Sequence, residues 1–270
     1  MRGFAKLLVL GVVVLGLVVP CYAANITIKG STTVLPIAQA AAEKFMKDNS
    51  GVDISVQGGG SSVGIASIVD KTCDIADASR PIKDSELVTA ANNGVDPVAH
   101  VVAMDGIAVI VNPSNGISAL SIKQIKDIYT GKVSDWTELG AGSGKIVVIS
   151  RDTSSGTYEA FNGLALDGAK VRPDALLQAS NQAVASAVSR TPGAIGYVGL
   201  AYVSASVKAL TVNGITCSKE TVLNNSYPIG RPLFMYTNGK PVGAIKEFID
   251  FVKSKEGQQL VEDQGFVGLR

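Results

Sequence analysis

Residues 26–46 read ITIKGSTTVLPIAQAAAEKFM. The opening ITIK alternates β-branched and polar residues, the period-2 pattern of a strand with one buried face. From Val34 the apolar residues recur at helical spacing as far as Met46. Between strand and helix stand only Gly30, Ser31, Thr32 and Thr33. The same order returns at 52–56 followed by 63–69, and at 146–150 followed by 158–164. Repeated strand-then-helix units predict the α/β class, with central β-sheets flanked by helices.

Two stretches predict crossings between two lobes. Residues 101–112, VVAMDGIAVIVN, are apolar almost throughout, as a strand buried on both faces would be. Residues 227–236, YPIGRPLFMY, read as an interrupted extended segment able to lie beside the first. If the two pair, the chain leaves one lobe, builds a second and returns. The boundaries read this way are 25–104 plus 204–270 for lobe one and 105–203 for lobe two. Residues 242–261 place Ile245, Phe248, Ile249 and Val252 on one face and predict a closing helix of lobe one.

The first 23 residues have the order of a secretory signal peptide. Arg2 and Lys6 form a basic start, 7–19 are apolar, and Ala23 ends a small-residue cleavage site. The apolar run is shorter than the ~20 residues a membrane-spanning helix needs. An alternative keeps Cys21 as a lipid-bearing first residue, although Pro20 stands where such signals carry a small residue. A periplasmic location follows. The chain has 24 basic and 23 acidic residues, and cleavage removes two of the basic ones. A balance so close to neutral excludes a broad basic field for nucleic acid or anionic lipid. Cys73 and Cys217 remain, either as one disulfide or as two small buried thiols. His100 is the single histidine, so no metal or haem cofactor is expected.

Three strand-to-helix junctions consist of glycine and hydroxyl residues with almost no charge. They are Gly30-Ser31-Thr32-Thr33, Gly58-Gly59-Gly60-Ser61-Ser62 and Asp152-Thr153-Ser154-Ser155-Gly156-Thr157. A helix N-terminus leaves backbone N–H groups unpaired at the positive end of its dipole. Glycine lets an anion approach that backbone, and a Ser or Thr hydroxyl adds a rotatable donor. One such junction is ordinary capping; three in an α/β chain point to an anion held at the strand ends. Arg80 and Arg151 stand beside these turns, each with a planar fork of donors suited to a tetrahedral oxyanion. Asp152 is expected to orient Arg151.

At these residues the chain resembles the periplasmic phosphate-binding proteins of ABC phosphate importers, which have the two-lobed type II periplasmic binding protein fold. GSTTVLPIAQAAAEKF, QGGGSSVG, DIADASRPI, MDGIAVIVNP, the R-D-x-S-S-G-T junction and PGAIGYVGLAYV occur in that order along almost the whole chain after residue 24. The resemblance implies a phosphate shell of Ser31, Thr32, Thr33, Ser61, Ser79, Arg80, Arg151, Ser155, Gly156 and Thr157. It also implies a permease and its ATPase as partners of a monomeric binding protein that carries out no covalent chemistry. One position departs from the better-known branch of the family. Ser79 stands where that branch has a carboxylate accepting a hydrogen bond from protonated phosphate, which leaves tungstate, molybdate or sulfate open as ligands.

Two enzyme readings compete. Gly60-Ser61-Ser62-Val63-Gly64 fits G-x-S-x-G, and a serine hydrolase would pair Ser62 with His100. A phosphate-loop reading of 139–146 fails, because Leu139 and Ile146 stand at two required positions.

Overall fold

The computed structural model describes residues 24–140, 142 and 144–269 of the 270-residue chain, so the signal expected at 1–23 lies outside the described residues. The first strand-helix units are β1 (Ala24–Gly30), α1 (Leu35–Asp48), β2 (Val52–Gly58), α2 (Ser61–Val69), β3 (Ile75–Ala78) and α3 (Asp84–Asn92). The crossing strand β4 (Pro97–Val111) leads to β5 (Ala119–Leu120), α4 (Ile122–Tyr129), β6 (Val147–Arg151), α5 (Gly156–Ala165), β7 (Leu176–Gln178), α6 (Asn181–Arg190) and β8 (Ala194–Gly199). The chain closes with β9 (Lys208–Ala209), β10 (Thr211–Val212), α7 (Lys219–Leu223), β11 (Gly230–Asn238), α8 (Gly243–Lys253) and α9 (Lys255–Asp263).

One sheet runs through the molecule in the order β2-β1-β3-β11-β4-β8-β6-β7, with β9 also on β4. The two crossing segments do pair. β4 and β11 are antiparallel from Asn238 against Pro97 to Gly230 against Gly106, and beyond Gly106 the same strand pairs β8 over Ile107 to Val111. β4 thus serves both halves of the sheet end to end, which is why it is apolar over most of its length.

Side-chain alternation decides which layer each strand builds. Along β11, Leu233 and Met235 join Ile26, Ile28, Phe45, Phe248 and Val252 beneath α1 and α8, whereas Phe234 and Tyr236 join Ile65, Ile68 and Val95 on the other face. A larger core gathers Ile107 to Val111 with Tyr129, Phe161 and Tyr197, and the rings of Phe161 and Tyr197 stack 3.9 Å apart. Val207, Leu210, Val212, Cys217, Val222, Tyr227 and Ile229 pack in this second core. That differs from the sequence boundary, which puts 204–270 with the first lobe. The segment between β8 and β11 has only two-residue strands, one turn of 3-10 helix and one short α-helix, so no period marked where it belongs.

The closing helix at 242–261 is broken. Ser254 ends α8 in an extended conformation and caps α9, accepting a hydrogen bond from Gly257 N at 3.1 Å. Phe248, Ile249 and Val252 are buried as expected. Cys73 and Cys217 are unpaired and sit in different cores, and burial pushes both thiols up to about 12. Among the described residues no helix is long and apolar enough to cross a membrane.

Candidate anion-binding site

The three glycine and hydroxyl junctions converge where the two cores face each other. At the start of α1, Ser31 is spent on its own turn: its Oγ accepts from Thr33 N at 3.1 Å and Val34 N at 3.4 Å. Thr33 is fully buried, and its Oγ1 lies 2.9 Å from Thr157 Oγ1 across the cleft. The α2 junction supplies Ser61, whose Oγ accepts from Ser79 N at 3.0 Å and lies 3.3 Å from Ser79 Oγ. Its N-cap Gly60 has φ 102°, and a Cβ there would come within 2.6 Å of Ser154 O, so only glycine fits the turn.

The α5 junction closes from the other side. Ser155 is its N-cap and accepts from Tyr158 N at 3.2 Å, which leaves the N–H groups of Gly156 and Thr157 as the helix's open first turn. A Cβ on Gly156 would stand 2.2 Å from Ser61 Oγ and 2.8 Å from Ser79 Oγ. Asn181, at the start of α6, donates to Thr33 Oγ1 at 2.9 Å and to Thr32 Oγ1 at 3.3 Å. Thr32 also holds Tyr202, whose hydroxyl donates to its carbonyl at 2.6 Å. Asn181 does not stand out in the sequence, because an Asn at a helix start has an ordinary capping explanation.

The charges are arranged differently from expectation. Arg151 is 1% exposed, and its Nε and Nη2 donate to the carbonyls of Gln178 and Ala179 at 2.9 and 3.0 Å. Its Nη1 is buried without a partner among the described residues. Tyr197 fixes the backbone there, its hydroxyl accepting from Arg151 N at 3.1 Å. Asp152 does not orient this arginine; its Oδ1 accepts from Ser154 N at 2.8 Å and also from the Ser154 hydroxyl.

Arg80 is corrected more fully. Its guanidinium donates to both Glu86 oxygens at 2.8 and 2.7 Å, to Pro81 O at 2.9 Å and to Ser62 Oγ at 3.0 Å, and its Nε forms an ion pair with Glu159 Oε2 at 2.5 Å without the alignment of a hydrogen bond. Two carboxylates occupy it, because the acids that hold it lie on α3 and α5, out of sight of a local reading.

The second cleft arginine is Arg231 on β11. It donates to Asp105 Oδ2 through Nε at 3.1 Å and Nη2 at 2.9 Å, to Ser79 O at 3.0 Å, to Thr157 Oγ1 at 3.0 Å and to Thr33 Oγ1 at 3.3 Å. Burial raises the Asp105 carboxyl and lowers the Arg231 guanidinium, and their contact opposes both shifts. The signal available in the sequence was a pair of charges inside the two apolar crossings, since unpaired charges are almost never buried.

Proton counting shows what the cleft can do. Thr33 Oγ1 accepts from Asn181 and Arg231, so its two lone pairs are engaged and its own O–H must donate. That proton goes to Thr157 Oγ1, 2.9 Å away, which also accepts from Arg231 and so has its own O–H left to give. Together with the first turn of α5 and Arg151 Nη1, that hydroxyl suits a compact anion. The two residues of the hydrolase reading are engaged by other groups: Ser62 Oγ meets Arg80 and Glu159, while His100 Nε2 is 2.9 Å from Thr237 Oγ1.

Residues 20–256 match the model of a PBP superfamily domain. The chain is 37% identical over 248 residues to the phosphate-binding protein PstS of Bacillus subtilis (strain 168), covering 90% of this chain and 80% of that one. Among solved structures, a phosphate ABC transporter substrate-binding protein from Clostridium perfringens with bound phosphate aligns at a TM-score of 0.84. It is 35% identical, with 91% of this chain and 100% of that one covered. An ABC-type phosphate transport receptor from Vibrio cholerae aligns at 0.76 with 31% identity, over 90% of this chain and all of its own. A match of this extent makes the chain a member of the PBP superfamily, in the family of the phosphate-binding proteins PstS.

Proposed function

We propose that this chain captures inorganic phosphate in the cleft between its two cores and delivers it, outside the cytoplasm, to the permease and ATPase of an ABC importer. The observation that carries the reading is Arg151 Nη1, a buried guanidinium nitrogen without a partner among the described residues, on the strand β6 that leads to the start of α5. An unpartnered charged donor is costly to bury unless an anion completes it. Thr33, Ser61, Ser79, Arg151, Gly156 and Thr157 are the proposed shell. Ser31, Thr32 and Ser155 shape its turns, and Arg231 holds the hydroxyls in donor orientation. Arg80 belongs outside this shell.

The proposed lobes are 24–106 with 230–269, and 107–229. Their hinge lies where Gly106 faces Gly230, the point at which β4 passes from one partner strand to the next. Binding is by hydrogen bonds, helix termini and one uncompensated arginine, and the protein acts as a monomer without chemistry of its own.

A second reading keeps the cleft and changes the oxyanion. It is favoured by Ser79 standing where an acceptor carboxylate is expected, and by the engagement of Asp105 by Arg231 and of Asp152 by Ser154. Calorimetric titration of the secreted form with phosphate, sulfate, molybdate and tungstate decides between them. Phosphate bound at least a hundredfold more tightly than sulfate is the expected result, about 2.7 kcal/mol of discrimination. Tighter binding of another oxyanion would replace phosphate in this reading.

A further inference from the structure

We propose that Glu159 is a positioning residue that locks the cleft shut, by entering a cationic socket already built on the opposite side. The socket consists of Arg80, Lys83, Glu86 and Ser62. Arg80 is 4% exposed and held in a two-point contact by Glu86, which also accepts from Lys83 N at 2.8 Å. These residues lie on α2, on α3 and on the segment leading into it, all packed on the first sheet. Two cations against one carboxylate leave the socket one positive charge in excess.

Glu159 supplies the missing charge from the other side. It lies in the first turn of α5, two residues beyond Thr157. Its Oε2 meets Arg80 Nε at 2.5 Å, its Oε1 meets Lys83 Nζ at 2.9 Å, and the Ser62 hydroxyl is 3.4 Å from Oε1. Arg80 and Glu86 come from the same side of the cleft, so opening leaves that pair intact. Withdrawal of α5 removes only Glu159. Ser62 N donating to Ser154 O at 3.0 Å is a backbone bond across the same gap, and it places the socket rim against the α5 junction.

The consequence is a division of labour along one helix turn. The Gly156 and Thr157 end of α5 meets the anion, and Glu159 closes an ion pair in a site nearly shielded from water, its carboxylate 17% exposed and Arg80 4%. Coulomb attraction is screened far less there than between surface charges. The pair exists only in the closed arrangement, so it slows opening without touching the ligand. This inference rests on the phosphate-capture reading for its ligand.

The test compares wild type with Glu159→Gln by stopped-flow phosphate exchange, ligand-free melting and small-angle scattering. In Glu159→Gln, phosphate dissociation should accelerate about tenfold, equivalent to one pair at a shielded site. The association rate should stay unchanged, and the ligand-free melting temperature should fall less than the phosphate-bound one. Lys83→Gln should act in the same direction more weakly, and adding Glu159→Gln to it should cost less than in wild type, as coupled partners do. An unchanged dissociation rate, or a ligand-free melting temperature lowered as much as the phosphate-bound one, would overturn the lock. A wild type that does not bind phosphate defeats the phosphate reading instead. The lock is then judged by scattering alone: a larger radius of gyration in Glu159→Gln than in wild type supports it, and equal radii refute it.

Discussion

Asp77, near the end of β3, is 2% exposed, and its Oδ1 has no hydrogen-bond partner among the described residues. Burial alone raises its carboxyl well above the ordinary range. In the unfolded chain the same group ionises near its usual value of about 3.9. Between those two values the folded state keeps a proton that the unfolded state has lost. The contribution of this group to stability is therefore full below the unfolded pKa and is lost as pH rises toward the folded one. Wild type should lose up to about 1.4 kcal/mol per pH unit through that window from this one proton. Urea unfolding of Asp77→Asn at several pH values should show that part of the decline removed; an identical slope would mean that Asp77 is ionised in the fold. At this scale the sequence was a mixed guide. None of the three arginines shows all its partners in the local sequence: the carbonyls of Gln178 and Ala179 hold Arg151, Glu86 and Glu159 hold Arg80, and Asp105 holds Arg231.

The helix starts carry most of the proposed chemistry, and they were also the most legible elements. A strand period, a glycine and hydroxyl turn and a helix period follow one another in 26–46, and β1 and α1 appear there within two residues of the expected limits. Legibility failed where an element owed its form to packing rather than to period, as in the break at Ser254 and the short strands β9 and β10. The α5 start allows a sharp element-scale prediction. Gly156 is helical and would itself tolerate alanine, but the added Cβ would meet Ser61 Oγ and Ser79 Oγ across the cleft. Gly156→Ala should therefore weaken phosphate binding at least a hundredfold, about 2.7 kcal/mol, with the ligand-free melting temperature unchanged or slightly raised. Calorimetry with a thermal melt checks both halves, and wild-type affinity in this variant would mean that the two sides never come so close.

Across the whole molecule, one buried ion pair sits at the passage between the two cores. Asp105 on β4 is fully buried, and its Oδ1 accepts from Leu200 N at 3.0 Å while Oδ2 takes Arg231. Removing one partner strands the other charge in a site that water does not reach. Asp105→Asn is expected to destabilise the protein by roughly 3–5 kcal/mol in chemical denaturation, and to weaken phosphate binding as well, since Arg231 would no longer be held against Thr33 and Thr157. A loss under about 1 kcal/mol would show that Arg231 reaches solvent or a second acceptor. The two-lobed plan itself was visible in the two apolar crossings, whereas the extent of each lobe was not.

The place of β11 between β3 and β4 also governs how the chain can assemble. Its contact with β4 joins Asp105 to Arg231, 126 positions apart. The first sheet is thus split until almost the entire polypeptide has been made, while the second core draws nearly all its residues from one uninterrupted stretch. Closing so long a loop is slow. Residues 107–229 should become protected from hydrogen exchange early in refolding, and β1 to β3 only when the last strand is inserted. A nascent chain with such an order keeps its leading end incomplete until the last strand has emerged, so β1 to β3 wait longest for their final partner.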